Sequence, residues 1–450
     1  MRNIGIVFVV SFVLMVSAFA AGSARADNSS DSAAITPVVL QGETDRFGGG
    51  DWVLVKAGNT NFGVVYGTQA HENKIYIVAD YKRYIAGVDF YDAQGNFLRT
   101  KGIPVWTTFA QTLERMVEFK DVDGNYRFDL RRWDQGEEVT SDVPIKELNL
   151  VQAWALSDLT NETVDDVLFV NFTLSISNVH YTWVWSPVLK RPILATPAEG
   201  TVSLVEFTFH IRVAVEQGTA NIPWFDVVIT GGDERRVANR TFAGWREFTG
   251  PKVNMTVKYD HEIQGWDFVN NESRLLLETR LLLGQVVPRE MLERYRLHRG
   301  IEAREGEGGN LVADDRSTLS PEPRSLPPVG RQGAITFGDD WYRIGRLTWA
   351  SDVMVDGEQE EMYFQIHGGG PVTFEYNRAA FVGAGVVGAF VYPAGDSIFH
   401  DPGLEAVSYE FGITTVTNIS PVGILALQLV VVSAAIVGAV LIRMRRKGRM

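Results

Sequence analysis

The chain has 450 residues and no cysteine, and its 42 Lys and Arg against 55 Asp and Glu give a formal net charge of −13. Seven of the basic residues lie in the end segments (Arg2, Arg25, Arg443, Arg445, Arg446, Lys447 and Arg449), so residues 27–420 carry about −20. Such a field excludes nucleic acid as a partner and repels anionic headgroups. Without disulfides, stability has to come from the core.

Arg2 precedes an apolar run from Ile4 to Ala21, and Ala24-Arg25-Ala26 sets small residues at the two positions a signal peptidase reads. This predicts a signal peptide over 1–26. The run is long for a signal core, and if uncleaved it would be an anchor of the same orientation.

From Thr36 onward the hydrophobic period is two. Residues 27–146 read as an N-terminal β domain of short strands, among them 75–81, 85–91, 105–109 and 116–120. They contain one echo. Phe90-x-Asp92-x-x-Gly95-Asn96-Phe97 returns as Phe119-x-Asp121-x-x-Gly124-Asn125-Tyr126, which predicts two similar hairpin turns. In the second turn Asp121, Asp123 and Asn125 put three oxygen-bearing side chains at alternating positions, the way a hard cation such as calcium is collected. The EF-hand register is not met, because Tyr126 stands where that loop needs glycine. No other cofactor is implied.

Residues 147–300 carry longer strands. Val205, Phe207, Phe209, Ile211, Val213 and Val215 alternate with Glu206, Thr208, His210 and Arg212, so one face is apolar. Asn-x-Ser/Thr occurs at Asn28, Asn161, Asn171, Asn239, Asn254, Asn271 and Asn418, all between the signal and the C-terminal apolar segment. Asn171 and Asn254 fall on the polar faces of alternating strands, where a glycan can point into water. Pro288 is placed to open a helix that stops at Gly300. Residues 301–333 hold Pro321, Pro323, Pro327 and Pro328 and little apolar spacing, and are predicted to be a flexible linker. Strands resume in a membrane-proximal segment, 334–420, in which residues 379–392 are uncharged and read as a strand buried on both faces.

Residues 421–442 have Gln428 and Ser433 as their only polar side chains. At 1.5 Å per helical residue they span roughly 33 Å, which predicts a transmembrane helix, and the basic tail 443–450 marks its cytoplasmic side. The sequence therefore predicts a cell-membrane protein with an outward all-β ectodomain of tandem or extended antiparallel β-sandwiches and a single C-terminal span. Ala434 and Gly438 would let spans pair as a homo-oligomer. Many sequons, no cysteine and one span look more like an archaeal surface protein than a eukaryotic receptor ectodomain.

The expected function is a non-catalytic, glycosylated envelope or adhesion component that contacts other surface proteins or glycans. A carbohydrate-binding module would need exposed tryptophan among Trp106, Trp183, Trp185, Trp245, Trp266 and Trp341. A membrane-anchored hydrolase would need a set such as Ser397, His400 and Asp401 beside His367-Gly368-Gly369-Gly370. No Gly-x-Ser-x-Gly elbow accompanies that set, and three residues from Ser397 to His400 give the base no scaffold of its own.

Overall fold

The computed structural model describes residues 35–44, 49–122, 124, 126, 128, 133–134, 137–138, 142–157, 159–186, 188–189, 191–196, 199–230, 237–288, 304–305, 311–314, 317–321, 332–339, 342–350, 352–376 and 379–409. The signal segment 1–26, the helix expected after Pro288, the span 421–442, the tail, Asn28 and Asn418 lie outside these residues.

The described chain is all-β: every element is a strand, and 25 strands belong to one hydrogen-bonded system. The principal strands are β1 (Val38–Thr44), β2 (Gly50–Ala57), β3 (Thr60–Tyr66), β4 (Tyr76–Tyr91), β5 (Phe97–Lys120), β6 (Val143–Asn149), β7 (Val167–His180), β8 (Thr201–Ile229), β9 (Val237–Gln264), β10 (Ser273–Pro288), β11 (Tyr363–Tyr376), β12 (Ala379–Pro393), β13 (Ser397–His400) and β14 (Gly403–Tyr409). Two groups of strands face each other. One runs β1-β2-β3-β4-β5-β10-β12-β11, every neighbouring pair antiparallel. The other runs β7-β8-β9, with β13 and β14 along the far side of β9.

Side-chain alternation creates the interior between the groups. Along β8, Val205, Phe207, Phe209, Ile211 and Val213 are buried, while His210 and Arg212 point outward. Phe209 is paired directly with Phe172 of β7 and with Tyr259 of β9, and the rings stack at 4.8 and 6.2 Å. Leu275 and Leu277 of β10, Phe390 and Tyr392 of β12, and Val64 and Ile77 close the same cluster from the facing group. A fully buried Phe, Leu or Val in it contributes about 1.5–3 kcal/mol. On β12, Ala389 and Val391 are buried as well, on the opposite face from Phe390 and Tyr392. The end of the uncharged run, residues 388–392, is thus covered on both sides.

Several short predicted strands fuse in the structure. Residues 75–81 and 85–91 form the single strand β4, and 105–109 and 116–120 lie within β5. Irregularities at Tyr84/Ala86 and Glu278/Thr279 absorb the change of direction. β5 pairs with β10 and β4 pairs in parallel with β8, so strands from 27–146 and 147–300 are hydrogen-bonded neighbours. Within 301–333, short pairings join Arg304–Glu305, Leu311–Asp314 and Ser317–Pro321, and the last reaches Gln332–Asp339.

Two directions matter for function. The parallel register from Trp224↔Gly87 to Val228↔Tyr91 brings the end of β4 and the end of the long β8-β9 ribbon to the same side of the molecule. β14 runs antiparallel to β9, from Gly403↔Lys258 to Tyr409↔Lys252, so the chain leaves Tyr409 heading toward that ribbon end.

At Gly67 the backbone is crossed at close range. Asn73 and Gln152 exchange N–H···O bonds of 3.0 and 3.1 Å beside it, and the Trp154 N–H donates to the Gly67 carbonyl at 3.0 Å. An added methyl would run into the Asn73 nitrogen and the Gln152 oxygen. Gly67→Ala is expected to cost about 2–4 kcal/mol by separating these segments, read as a lowered urea midpoint at unchanged slope. An unchanged midpoint would refute the crossing.

Candidate functional site

The first echo turn is the expected hairpin, joining β4 to β5, but the second is not, since the strand that pairs back onto β5 is β6, with Val143 opposite Lys120; in both, an Asp carboxylate accepts backbone N–H groups. Asp92 Oδ1 accepts the N–H groups of Gln94 and Asn96, at 2.9 and 2.8 Å. Asp121 accepts from Gly124 at 2.8 Å and from Tyr126 at 2.9 Å. Gly95 and Gly124 both adopt positive φ, 85° and 69°, the conformation such a turn requires of glycine. Both carboxylate oxygens of Asp121 therefore cap a turn, while Asp123 and Asn125 lie outside the described residues. Among the described residues no group of three His, Cys, Asp or Glu could hold a metal ion.

Ser397, His400 and Asp401 do not converge. His400 is buried, its Nε2 3.0 Å from the Ala350 carbonyl and its Nδ1 3.2 Å from the Tyr392 hydroxyl. Asp401 turns outward to Lys258 at 2.8 Å, and the Ser397 N–H donates to Asp356. Of the glycine loop, residues 368–370 pair with 385–387 as part of β11.

A buried polar cluster occupies the place of a catalytic set, and the sequence reading missed it. The Tyr392 hydroxyl bridges Nδ1 of His261, at 3.0 Å, and Nδ1 of His400. Hydrogen-bond bookkeeping assigns the protons. A carbonyl only accepts, so His400 carries its proton on Nε2 and takes the Tyr392 O–H at Nδ1. His261 must then donate from Nδ1, which leaves its Nε2 a bare, buried acceptor without a partner among the described residues. Burial pushes His400 down to about 4 and holds His261 well below the ordinary imidazole value, with the His400 ring adding to the effect on His261. The Tyr392 hydroxyl is driven well above its usual range by burial. Next to it, the Tyr259 hydroxyl donates to Gln111 at 2.7 Å and Gln111 to Thr279 at 2.9 Å, tying the two strand groups together. The signal was available: His261 continues the apolar positions Val253, Met255, Val257 and Tyr259 toward Ile263.

Three partly buried carboxylates are paired with cations. Arg115 bonds Glu278 at 2.8 and 3.0 Å and Glu147 at 2.7 Å, Arg280 lies 3.6 Å from Glu114, and Lys74 pairs with Glu114.

Some of the exposed apolar side chains lie at opposite ends of the fold, while others, such as Leu194 and Val164, lie between them. Away from the ribbon end, beyond Lys120 and Ser273, lie Val122, Val143, Val188 (86 % exposed), Leu189 and Val269 (64 %). Val188 and Leu189 form the turn of the hairpin Trp183–Ser186/Arg191–Leu194, which is joined to β6. At the ribbon end lie Phe97, Leu98, Phe242 (52 %) and Trp245 (43 %). Among the tryptophans considered, Trp266 is buried, Trp183 and Trp185 are half-buried, and the side chain of Trp106 and all of Trp341 lie outside the described residues. Asn161, Asn239 and Asn271 are exposed, and Asn171 and Asn254 are half-buried on outward strand faces. Asn171 accepts a hydrogen bond from His210 Nδ1 at 2.7 Å through its amide oxygen, so its nitrogen stays available. No family model matches the chain and no curated protein matches it, so the residues themselves carry the functional argument.

Proposed function

We propose that this chain is a non-catalytic, glycosylated cell-surface protein, exported by residues 1–26, held by one span at 421–442 with its C-terminus cytoplasmic, and built as extended antiparallel β-sandwiches that present a contact surface outward. One observation carries the reading. The chain leaves β14 toward the ribbon end, so the opposite end, with Val188, Leu189, Val122, Val143 and Val269 in water, faces away from the anchor. Isolated exposed apolar groups are ordinary, but several gathered on the outermost turns suit docking against another surface protein. Sequons on water-facing sides and a −20 ectodomain fit the same setting.

The test uses intact cells displaying the full chain. External protease should remove the ectodomain, and glycosidase should lower its mass. Val188→Asp with Leu189→Asp should leave surface abundance and melting unchanged while reducing cell-to-cell adhesion roughly five-fold, since central contact residues dominate such interfaces. Recovery of an unglycosylated, cytosolic chain would overturn the surface reading. Unaltered adhesion in the double variant would overturn the contact surface.

A further inference from the structure

Strand β1 stands at the end of its group. It pairs with β2 without interruption from Val38↔Lys56 to Thr44↔Gly50, and no other described strand pairs with it. Every second residue of β1 therefore turns its N–H and C=O away from β2, toward a place where another strand can lie. Val39 packs inward against the core, which sets Val38 and Leu40 on the outward face, and both are exposed. Other edges of the fold are blunted by charge, proline or a bulge, the devices that keep an edge from recruiting strands. β11, at the other end of the same group, has an irregularity between Ile366 and Gly368 and contains Pro371, which has no N–H to offer. Thr160–Val164 carries Glu162 and the sequon Asn161, and Glu358–Glu361 exposes three carboxylates. β1 has no proline, no bulge and no Lys or Arg, and its one charged residue, Glu43, lies next to its end.

The strand is complementary to itself. With a second β1 laid antiparallel about Gln41, Leu40 of each copy faces Gly42 of the other and Val38 faces Thr44, all on the outward face. Gly42 is paired with Trp52, whose indole lies so close over it that an added Cβ would stand 2.6 Å from the ring. Leu40 of the second copy would then meet the indole edge with no side chain between them. The charges agree with this register as well. Glu43 faces Val39 of the other copy, and the two Glu43 side chains, four residues apart along the ladder, stand roughly 13 Å from each other. A parallel pairing in register would instead set Glu43 against Glu43, which is unfavourable.

We propose that two copies of this chain join edge to edge through β1, antiparallel about Gln41, so that one sheet runs on from copy to copy. This pairing is separate from any pairing of spans through Ala434 and Gly438, and the experiment tells them apart. The full-length chain is solubilised in mild detergent. Sedimentation should give a dimer, and Leu40→Lys, a change at an exposed position, should weaken it at least about ten-fold while leaving the melting temperature unchanged. The natural chain has no cysteine, so a single thiol reports one place. Under mild oxidation Gln41→Cys should link two copies, because facing Cα atoms of an antiparallel pair lie about 4.5–5.5 Å apart, within reach of a disulfide. Glu43→Cys should link at least about five-fold less. A monomeric native chain, an undiminished dimer in Leu40→Lys, or equal linking at 41 and 43 would each overturn the proposal. Linking through Ala434→Cys without linking through Gln41→Cys would overturn it in favour of the span. On intact cells, linking of Gln41→Cys to a chain of different mass would overturn it in favour of a foreign strand.

Discussion

Lowering the pH from 6.5 to 5 should destabilise Asp80→Asn by about 2 kcal/mol more than the native chain. His261 and His400 bind protons more weakly in the folded chain than in the unfolded one, whose imidazoles titrate near 6.5. As the pH falls below about 6.5, the unfolded chain therefore takes up protons that the folded chain refuses. For His400 the decline is roughly 1 kcal/mol per pH unit until the folded ring titrates at about 4, and His261 acts in the same sense. Asp80 acts in the opposite sense. It is buried between β3 and β5, bonded to Asn61 Nδ2 at 2.8 Å, and burial raises its carboxyl to about 7. The fold then holds a proton that the unfolded chain releases above about 4, so stability returns as the pH falls from 7. Asp51, Glu206 and Asp260, whose carboxyls burial also raises, act in the same sense as Asp80, and Asn at position 80 removes the largest of these opposing contributions. The groups packed around the rings, Tyr259, Tyr392 and outward-facing Asp401, are uncharged or salt-bridged across this window. Asp89, Asp92 and Glu216 are held low by their partners and act at more acidic pH. Urea unfolding between pH 7 and 4.5 measures both slopes. A flat profile in the native chain together with a flat one in Asp80→Asn would remove the buried histidine pair.

Glu118→Ala is expected to cost about 3–5 kcal/mol. Glu118 has no solvent exposure, and it accepts the Trp266 indole N–H at 3.1 Å and the Val269 N–H at 2.9 Å while Lys146 lies 3.3 Å away. Lys146 is itself buried, donates to the Asp267 carbonyl and sits 4.5 Å over the Tyr181 ring. Removing the carboxylate leaves the buried Lys146 ammonium and the buried Trp266 indole N–H without their acceptor, and the part-buried Val269 N–H loses its partner as well. The Val269 amide should exchange with solvent much faster in the variant. Glu118→Leu combined with Lys146→Met should recover most of the loss, because the pair is removed together. A single variant as stable as the parent would show that water reaches this site.

How much was readable beforehand follows from what period two encodes. Alternation names a face, and it placed Val205 through Val213 inside and Asn171 and Asn254 outside before any partner strand was known. Turn chemistry was equally local, and Asp92 and Asp121 both cap turns, although only the first turn is the hairpin that the echo implied. Partners were not readable, because nothing in β5 specifies β10, whose leucines would suit many neighbours. The fusions that make β4 and β5 were hidden for a related reason: a bulge shifts the alternation and reads as a strand end. His261 was overlooked because its residue type suggested a polar face while its position indicated the core.

The pairing of β5 with β10 also sets a clock. Thr279 meets Gln111 across 168 residues of chain. A nascent chain leaves the ribosome N-terminus first at roughly 5–20 residues per second, so β5 waits on the order of ten to thirty seconds before its neighbour exists. During that wait a 24-residue strand with Phe109, Met116 and Phe119 along it offers an unsatisfied edge to any other extended segment nearby. Yield in recombinant production should therefore depend on holdase capacity and on the concentration of emerging chains more than on the equilibrium stability of the finished molecule.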